Sequence, residues 1–298
     1  MTLRPLSLAL ALSLGLAACQ PSSPSTAAVD TAAATAQSTA MADRVARYAE
    51  VSLTADLSHL SDGDRQAIGL LIDAGQIIDG LFWQQVWGDR DALLAQAGDD
   101  ATARYIAINY GPWDLLDGDK PFVDGVGQRP PGARYYPADM SREEFAAAEL
   151  PGKDSQYTLI ARDAAGKLVT VPYSVAYKAE LEQVASLLRQ AADVASDAAF
   201  SHYLRLRADA LLSDDYQPSD MAWMDMKDSP IDVVIGPIES YQDRLFGTKT
   251  AFEAFVLVKD VDWSRKLARF AAHLPALQQG LPVDARYKAQ MPGTDADL

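Results

Sequence analysis

The sequence predicts an α+β fold, dominated by helices and carrying a small antiparallel β-sheet or barrel. Three observations predict it. Apolar residues recur at helical spacing over long stretches, as at Ile68, Leu71, Ile72, Ile77, Ile78, Leu81 and Phe82. Two strand-like runs in "SQYTLIARDAAGKLVTVPYS" flank Asp163-Ala164-Ala165-Gly166, the pattern of a β-hairpin. A further apolar run from Ile231 ends at Gly236-Pro237, and "AFVLVKD" follows it as another strand.

Taken in order, the chain opens on a segment that is not part of the fold. Arg4 gives a short positive start, Leu6 to Leu16 a compact apolar stretch, and Leu16-Ala17-Ala18-Cys19 closes it. That stretch is too short to span a membrane and has the anatomy of a secretory signal over residues 1–18. The closing residues are similar to a bacterial lipobox, which implies acylation at Cys19, the only cysteine in the chain. An ordinary signal with an incidental cysteine is the alternative. Removing residues 1–18 removes one charge, Arg4, and takes the formal net charge from −15 to −16. Such acidity argues against nucleic acid or an anionic lipid surface as partner of the folded part, leaving the lipid as the membrane anchor. With Gln20 after the cysteine, the implied address is the outer membrane of a Gram-negative cell, facing the periplasm. Residues 19–41, rich in Ala, Ser, Thr and Pro, read as a flexible tether.

The folded domain is expected over 42–298. "ADRVARYAEVSL", "DRQAIGLLIDAGQIIDGLFWQQVW", "DRDALLAQAG" and "DATARYIAINY" carry helical spacing. Gly111 to Pro137 is dense in Gly, Pro and Asp, with Trp113, Phe122, Tyr135 and Tyr136 as apolar anchors, so it reads as an ordered loop. "SREEFAAAEL" is a short helix with Ser141 as N-cap and Glu144 three residues on. Helices resume from Ala176 to about Leu212. "DDYQPSDMAWMDMKDSP" reads as an acidic loop, "DWSRKLARFAAHLPAL" as one helix, and the tail as irregular.

Little in the sequence carries chemistry. His59, His202 and His273 are widely separated, and no H-E-x-x-H or cysteine pair is present, so no self-contained metal site is expected. "DLLDGDKPFVDG" lacks the ligand spacing of a calcium loop and reads as turns; the acidic residues Asp214, Asp215, Asp220, Asp225 and Asp228 read as solvated surface. What remains is Glu239 and Tyr241 after the strand that begins at Ile231. A Glu at a strand end can hold an ammonium, and a Tyr nearby can donate to a carbonyl or oxyanion. Alternation puts both on one face if the chain stays extended through Ser240. A cross-strand pair without function is the competing reading.

The stretch "IGPIESYQDRLFGTKTAFEAFVLV" resembles a motif of the dipeptidyl-peptidase III family of zinc metallopeptidases. It matches at Ile235, Gly236, Ile238, Glu239, Ser240, Tyr241, Asp243, Phe246, Gly247, Phe252, Glu253, Phe255 and Val256, with Pro237 replacing a Phe. "INYGPWDLLDGDKPFVDGVGQRPPGARYYPADMSREEF", "YLRLRADALLSDDYQPSDMAWMD" and "LPVDARYKAQMPGTDADL" also look like bacterial members, so the resemblance runs from about Ala42 to Leu298. It implies the N-terminal, mostly lower-lobe part of such a peptidase. Glu239 would bind the free amine of a short peptide, and Tyr241 would hydrogen-bond the scissile carbonyl and stabilise its oxyanion. The peptide would dock along a β-edge. The family's zinc helix, its later Glu ligand and an asparagine-bearing strand belong downstream of Leu298. Zinc is therefore expected only in a full-length member, and this chain, without its C-terminal half, is expected not to hydrolyse peptides by itself. The alternative is a lipid-anchored, non-catalytic protein that binds peptides or a partner. A Nudix hydrolase is a third possibility, against which the long Glu-rich signature is absent.

Overall fold

Ser61 starts the central helix, α1 (Asp62–Val86), with a capping box: its hydroxyl accepts from the Asp64 amide at 3.0 Å, and the Asp64 carboxylate accepts from the Ser61 amide at 3.3 Å. The computed structural model describes residues 39–227 and 229–288. The expected signal over 1–18, Cys19 and most of the tether lie outside the described residues. Helical turns over 39–45 straddle the tether boundary expected at residue 41.

Asp64 does more than cap its own helix. It also accepts from the Ser196 amide at 2.9 Å and the Ser196 hydroxyl at 2.7 Å, pinning the start of α1 to a distant corner of the chain. Burial pushes its carboxyl up, but these donors outweigh burial and hold it below the usual carboxylate range. Beside it, a Cβ on Gly63 would stand 2.1 Å from the Val194 carbonyl oxygen, so the crossing at this corner admits no side chain.

Short helices α2 (Arg90–Leu94) and α3 (Asp100–Asn109) follow, N-capped by Asp89 and Asp99. The Gly/Pro/Asp-rich segment contains a minimal ladder, β1 (Trp113–Asp114) with β2 (Lys120–Pro121), and buries Trp113, Phe122, Tyr135 and Tyr136 as expected of an ordered loop. Helix α4 (Arg142–Ala147) has Ser141 as its N-cap, as read from the sequence. The hairpin is present as β3 (Thr158–Arg162) and β4 (Leu168–Pro172), its turn closed by Asp163, which accepts from the Ala165 and Lys167 amides. Then come α5 (Tyr173–Ala176), α6 (Lys178–Val194) and α7 (Ala198–Ser213). The segment read as an acidic loop holds a helix, α8 (Gln217–Asp225); its proline sits in the first turn, where a missing N–H costs nothing. Strands β5 (Ile231–Glu239) and β6 (Ala251–Val258) pair antiparallel. The expected last helix is two, α9 (Val261–Ala271) and α10 (Leu274–Gly280), divided at His273 ahead of Pro275.

The fold is thus the helix-rich α+β arrangement expected, with one difference in the sheet. The hairpin and the β5–β6 pair were expected to share one sheet, but the described strands form three separate two-stranded ladders. Loop backbone takes the places a neighbouring strand would need: the Ile160 amide donates to the Tyr135 carbonyl, and the Thr250 amide to the Gln156 carbonyl. The core lies where α1 and α7 meet β5–β6 and α6 packs against both helices. Leu71, Ala74 and Ile78 of α1 meet Leu181, Val184 and Leu188 of α6, Phe200 and Leu204 of α7, and Ile231, Val233, Ile235 and Phe252 of the strands. Met41, Trp83, Leu93, Tyr105, Ile106 and Phe122 form a smaller cluster.

Since the Gly63 crossing abuts backbone, Gly63→Ala should destabilise the chain by about 2 kcal/mol, the usual cost of overpacking. Urea unfolding of the two proteins checks this, and unchanged stability would mean the corner is looser than described.

A candidate peptide-binding site at the end of β5

Gly236 has φ +130°, a conformation that disfavours a side chain, and Pro237 after it cannot donate to a ladder. Together they break the regular pairing. Pro237 lies opposite Phe252, yet Glu239 lies opposite Ala251, so Ile238 is an extra residue and the register slips. The slip decides where Glu239 points. Without it Glu239 would share the core-facing side with Ile235; with it, Glu239 joins the face of Ala251 and Glu253. Both carboxylates are half-buried, and neither has an ion-pair or hydrogen-bond partner among the described residues. Burial pushes the Glu253 carboxyl up, and the charge of Glu239 adds to the shift.

Strand β5 ends at Glu239, and the chain turns at Tyr241-Gln242. The extended path through Ser240, on which alternation would have placed Glu239 and Tyr241 together, is therefore not taken. Tyr241 stands on the turn instead, with three-quarters of its surface exposed. Beyond it the chain runs through turns into β6, because Asp243 captures the backbone there.

Asp243 is buried, and its carboxylate accepts from the amides of Leu245, Phe246, Thr248 and Lys249 and from the Tyr136 hydroxyl at 2.7 Å. Burial raises its carboxyl, but these donors together hold it below the ordinary value. On either side of it the turn is tied to the loop at 111–137. Arg129 donates to Gln242 and pairs with Asp119 at 2.9 Å; Arg244 pairs with the same Asp119, while its amide donates to the Pro131 carbonyl at 2.8 Å. Lys249, fully buried, closes the turn by donating to the Lys153 and Ser155 carbonyls and the Thr158 hydroxyl at 2.7–2.8 Å. Burial lowers its ammonium to about 8.

Beside Glu253 runs a trough of about 320 Å³ between α1 and β6. A wider depression of about 930 Å³ opens around Trp87, Trp113 and Arg134, and neither Glu239 nor Tyr241 lines it.

His59, His202 and His273 are exposed on separate segments, and among the described residues no group of three or more His, Cys, Asp or Glu is arranged to hold a metal ion. These residues do not fit a zinc centre. Three of the four aspartates of "DLLDGDKPFVDG" are engaged separately: Asp114 with Arg44 and Arg47, Asp117 with Lys120, Asp119 with Arg129 and Arg244. In the acidic segment, Asp214 accepts from Ser174 and Asp220 pairs with Arg207; Asp228 lies outside the described residues. Sequence reasoning singled out Glu239 and Tyr241 but missed that Glu253 shares a face with Glu239. Its one legible signal was the Gly-Pro inside a strand.

Residues 143–291 match the family model "Peptidase family M49". Dipeptidyl-peptidase III from Caldithrix abyssi is 38% identical, with a TM-score of 0.76 over 84% of this chain and 49% of that one. Dipeptidyl-peptidase III from Corallococcus sp. strain EGB is 35% identical, with a TM-score of 0.75 over the same shares. A protein of Arabidopsis thaliana named Nudix hydrolase 3 is 30% identical over 316 residues, which is 85% of this chain and 41% of that protein. The chain thus spans about half the length of the solved relatives and two-fifths of the curated one.

Replacing Asp243 by Ala leaves its buried donors unsatisfied and should cost about 3 kcal/mol. Because the folded value lies below the unfolded one, the stabilisation from Asp243 is present above about pH 4 and is lost as pH falls through the folded value. The gap between wild type and Asp243→Asn in urea unfolding should therefore shrink below about pH 4; a gap constant from pH 7 to 3 would contradict this account.

Proposed function

The chain belongs to peptidase family M49, the dipeptidyl-peptidase III family, and from that premise we propose that it is the substrate-binding part of a zinc-dependent exopeptidase that releases dipeptides from peptide N-termini. In this reading Glu239 holds the free amine of the peptide, and the Tyr241 phenol donates to the scissile carbonyl and stabilises the oxyanion that develops there. The zinc-binding residues are supplied by a C-terminal half outside this sequence, and the chain alone binds peptides without cleaving them.

The observation that carries this reading is the carboxylate of Glu239, half-buried at a strand end with no ion-pair or hydrogen-bond partner among the described residues. A half-buried carboxylate without a partner is costly, and a peptide ammonium removes that cost. Tyr241 on its exposed turn is free of intramolecular hydrogen bonds among the described residues, so its hydroxyl is open to a ligand. The clamp of Asp119, Arg129 and Arg244 restrains the turn that carries it. On the motif ending at Cys19 alone, the reading also places the protein in the cell envelope, held by an N-terminal lipid at the outer membrane.

Two measurements test the proposal. A pentapeptide with a free N-terminus should bind the chain 10- to 100-fold more tightly than its N-acetylated form, the range expected for a charge-assisted contact, and Glu239→Ala should abolish the difference. Equal affinity for the two peptides in titration calorimetry would sink the role of Glu239. For the anchor, Cys19→Ser should release the protein from the membrane fraction; a protein that stays there regardless of residue 19 is not held by that lipid.

A further inference from the structure

The wide depression around Trp87 and Trp113 carries two opposite charges that do not answer each other. It is walled by the end of α1, by α2 and by the loop at 111–137, and its volume of about 930 Å³ lies within the range of small-molecule sites. Its apolar surface is held in place. Trp87 and Trp113 meet edge to face with ring centres 5.3 Å apart, and the Trp113 indole donates to the Gly127 carbonyl at 2.9 Å. Leu93 of α2 and Ala133, both buried, extend that surface.

Arg134 is positioned as firmly. Its amide donates to the Gln85 carbonyl at 2.9 Å, and its guanidinium lies against the backbone of Gly88. A Cβ on Gly88 would stand 3.3–3.4 Å from three atoms of that guanidinium, so the group lies flat over the glycine, whose φ of +125° already disfavours a side chain. The guanidinium has no ion-pair or hydrogen-bond partner among the described residues. Asp124 lines the same cavity, is exposed, and has none either. The third charge there, Asp89, is engaged as the N-cap of α2, accepting from the Ala92 amide at 2.9 Å.

Arg134 and Asp124 thus share a cavity without forming an ion pair. A simple anion on Arg134 would meet the charge of Asp124, and a simple cation on Asp124 would meet that of Arg134. A molecule that carries both charges satisfies the two at once, and the tryptophan surface favours one that also carries an apolar group. We propose that this cavity binds a small zwitterion with an apolar side chain, a free amino acid or dipeptide, with its carboxylate on Arg134, its ammonium on Asp124 and its side chain against Trp87 and Trp113. The planar guanidinium offers a carboxylate two parallel N–H groups, and its seat on Gly88 leaves it little freedom to lose on binding. This site recognises a carboxylate as well as an amine and lies apart from the end of β5, so it does not depend on the role given to Glu239.

Calorimetric titration of the chain with phenylalanine, Ala-Phe, Ala-Phe amide and N-acetyl-Ala-Phe tests this. The variants are Arg134→Gln and Asp124→Asn, both at exposed side chains whose replacement spares the core. Wild type should bind Ala-Phe about tenfold more tightly than either blocked form, as expected for a charge-assisted contact at each end. Arg134→Gln should erase the difference between acid and amide, and Asp124→Asn the difference between free and acetylated dipeptide. Phenylalanine binding as tightly as Ala-Phe would make a free amino acid the ligand; binding of Ala-Phe alone would make it a dipeptide. If acetylation weakens binding while amidation does not, the inference falls and an amine held at Glu239 accounts for the result. Binding unchanged in Arg134→Gln, or no binding of either zwitterion, overturns it as well.

Discussion

A two-stranded antiparallel ladder is at best marginally stable in water, and β5–β6, which carries Glu239 and Glu253, is such a ladder among the described residues. Everything around it answers that constraint. Helix α1 lies across its inner face, and the Gln85 side chain near the end of that helix stitches it to the entry of β6. The Gln85 carboxamide donates to the Thr250 carbonyl at 3.3 Å and accepts from the Phe252 amide at 2.8 Å. The Tyr173 hydroxyl donates to the same Thr250 carbonyl, and the Tyr203 hydroxyl donates to Val233 on the far edge of β5. Side chains thus supply bonds that neighbouring strands supply in a larger sheet.

Holding a ladder from outside also settles how its end is built. Pairing ends at Glu239 and Ala251, just beyond the slip, and the connection between the strands needs its own anchor. Asp243 provides it with four backbone amides and one phenol, while the Asp119 pairs tie the same connection to a loop more than a hundred residues earlier in the chain. Glu239 and Tyr241 therefore sit on either side of a boundary. One rides on the ladder, the other on a clamped turn, so their separation is set by two independent sets of contacts.

Much of the architecture was legible in the sequence. Periodicity found α1, α3, α6 and α7, and the Asp-Ala-Ala-Gly turn found the hairpin, because these elements are specified by neighbours in the chain. The separation of the ladders was not legible, since it depends on loop carbonyls such as those of Tyr135 and Gln156 arriving from elsewhere. Helix α8 was hidden by its Pro218 and Asp220, which are unfavourable in mid-helix but harmless in a first turn. At the site, motif reading located Glu239 and Tyr241 but could place them on one face only if the chain stayed extended through Ser240. The carboxylate pair depends on a single extra residue in the register, and only Gly236-Pro237 hinted at it.

The outer edge of β6 has a consequence of its own. Beyond the Gln85 contact at Phe252, its backbone groups at Ala254 and Val256 find no partner among the described residues. Seven of the eight residues of β6 are apolar, and Glu253 is the one charge. Proteins commonly guard such edges with a charge that makes stacking like on like unfavourable. In this strand that guard is Glu253, whose carboxyl is pushed up by burial and by the charge of Glu239. Whatever neutralises Glu253 also lifts the repulsion that keeps one copy of β6 from templating another, so a single titratable group guards this edge.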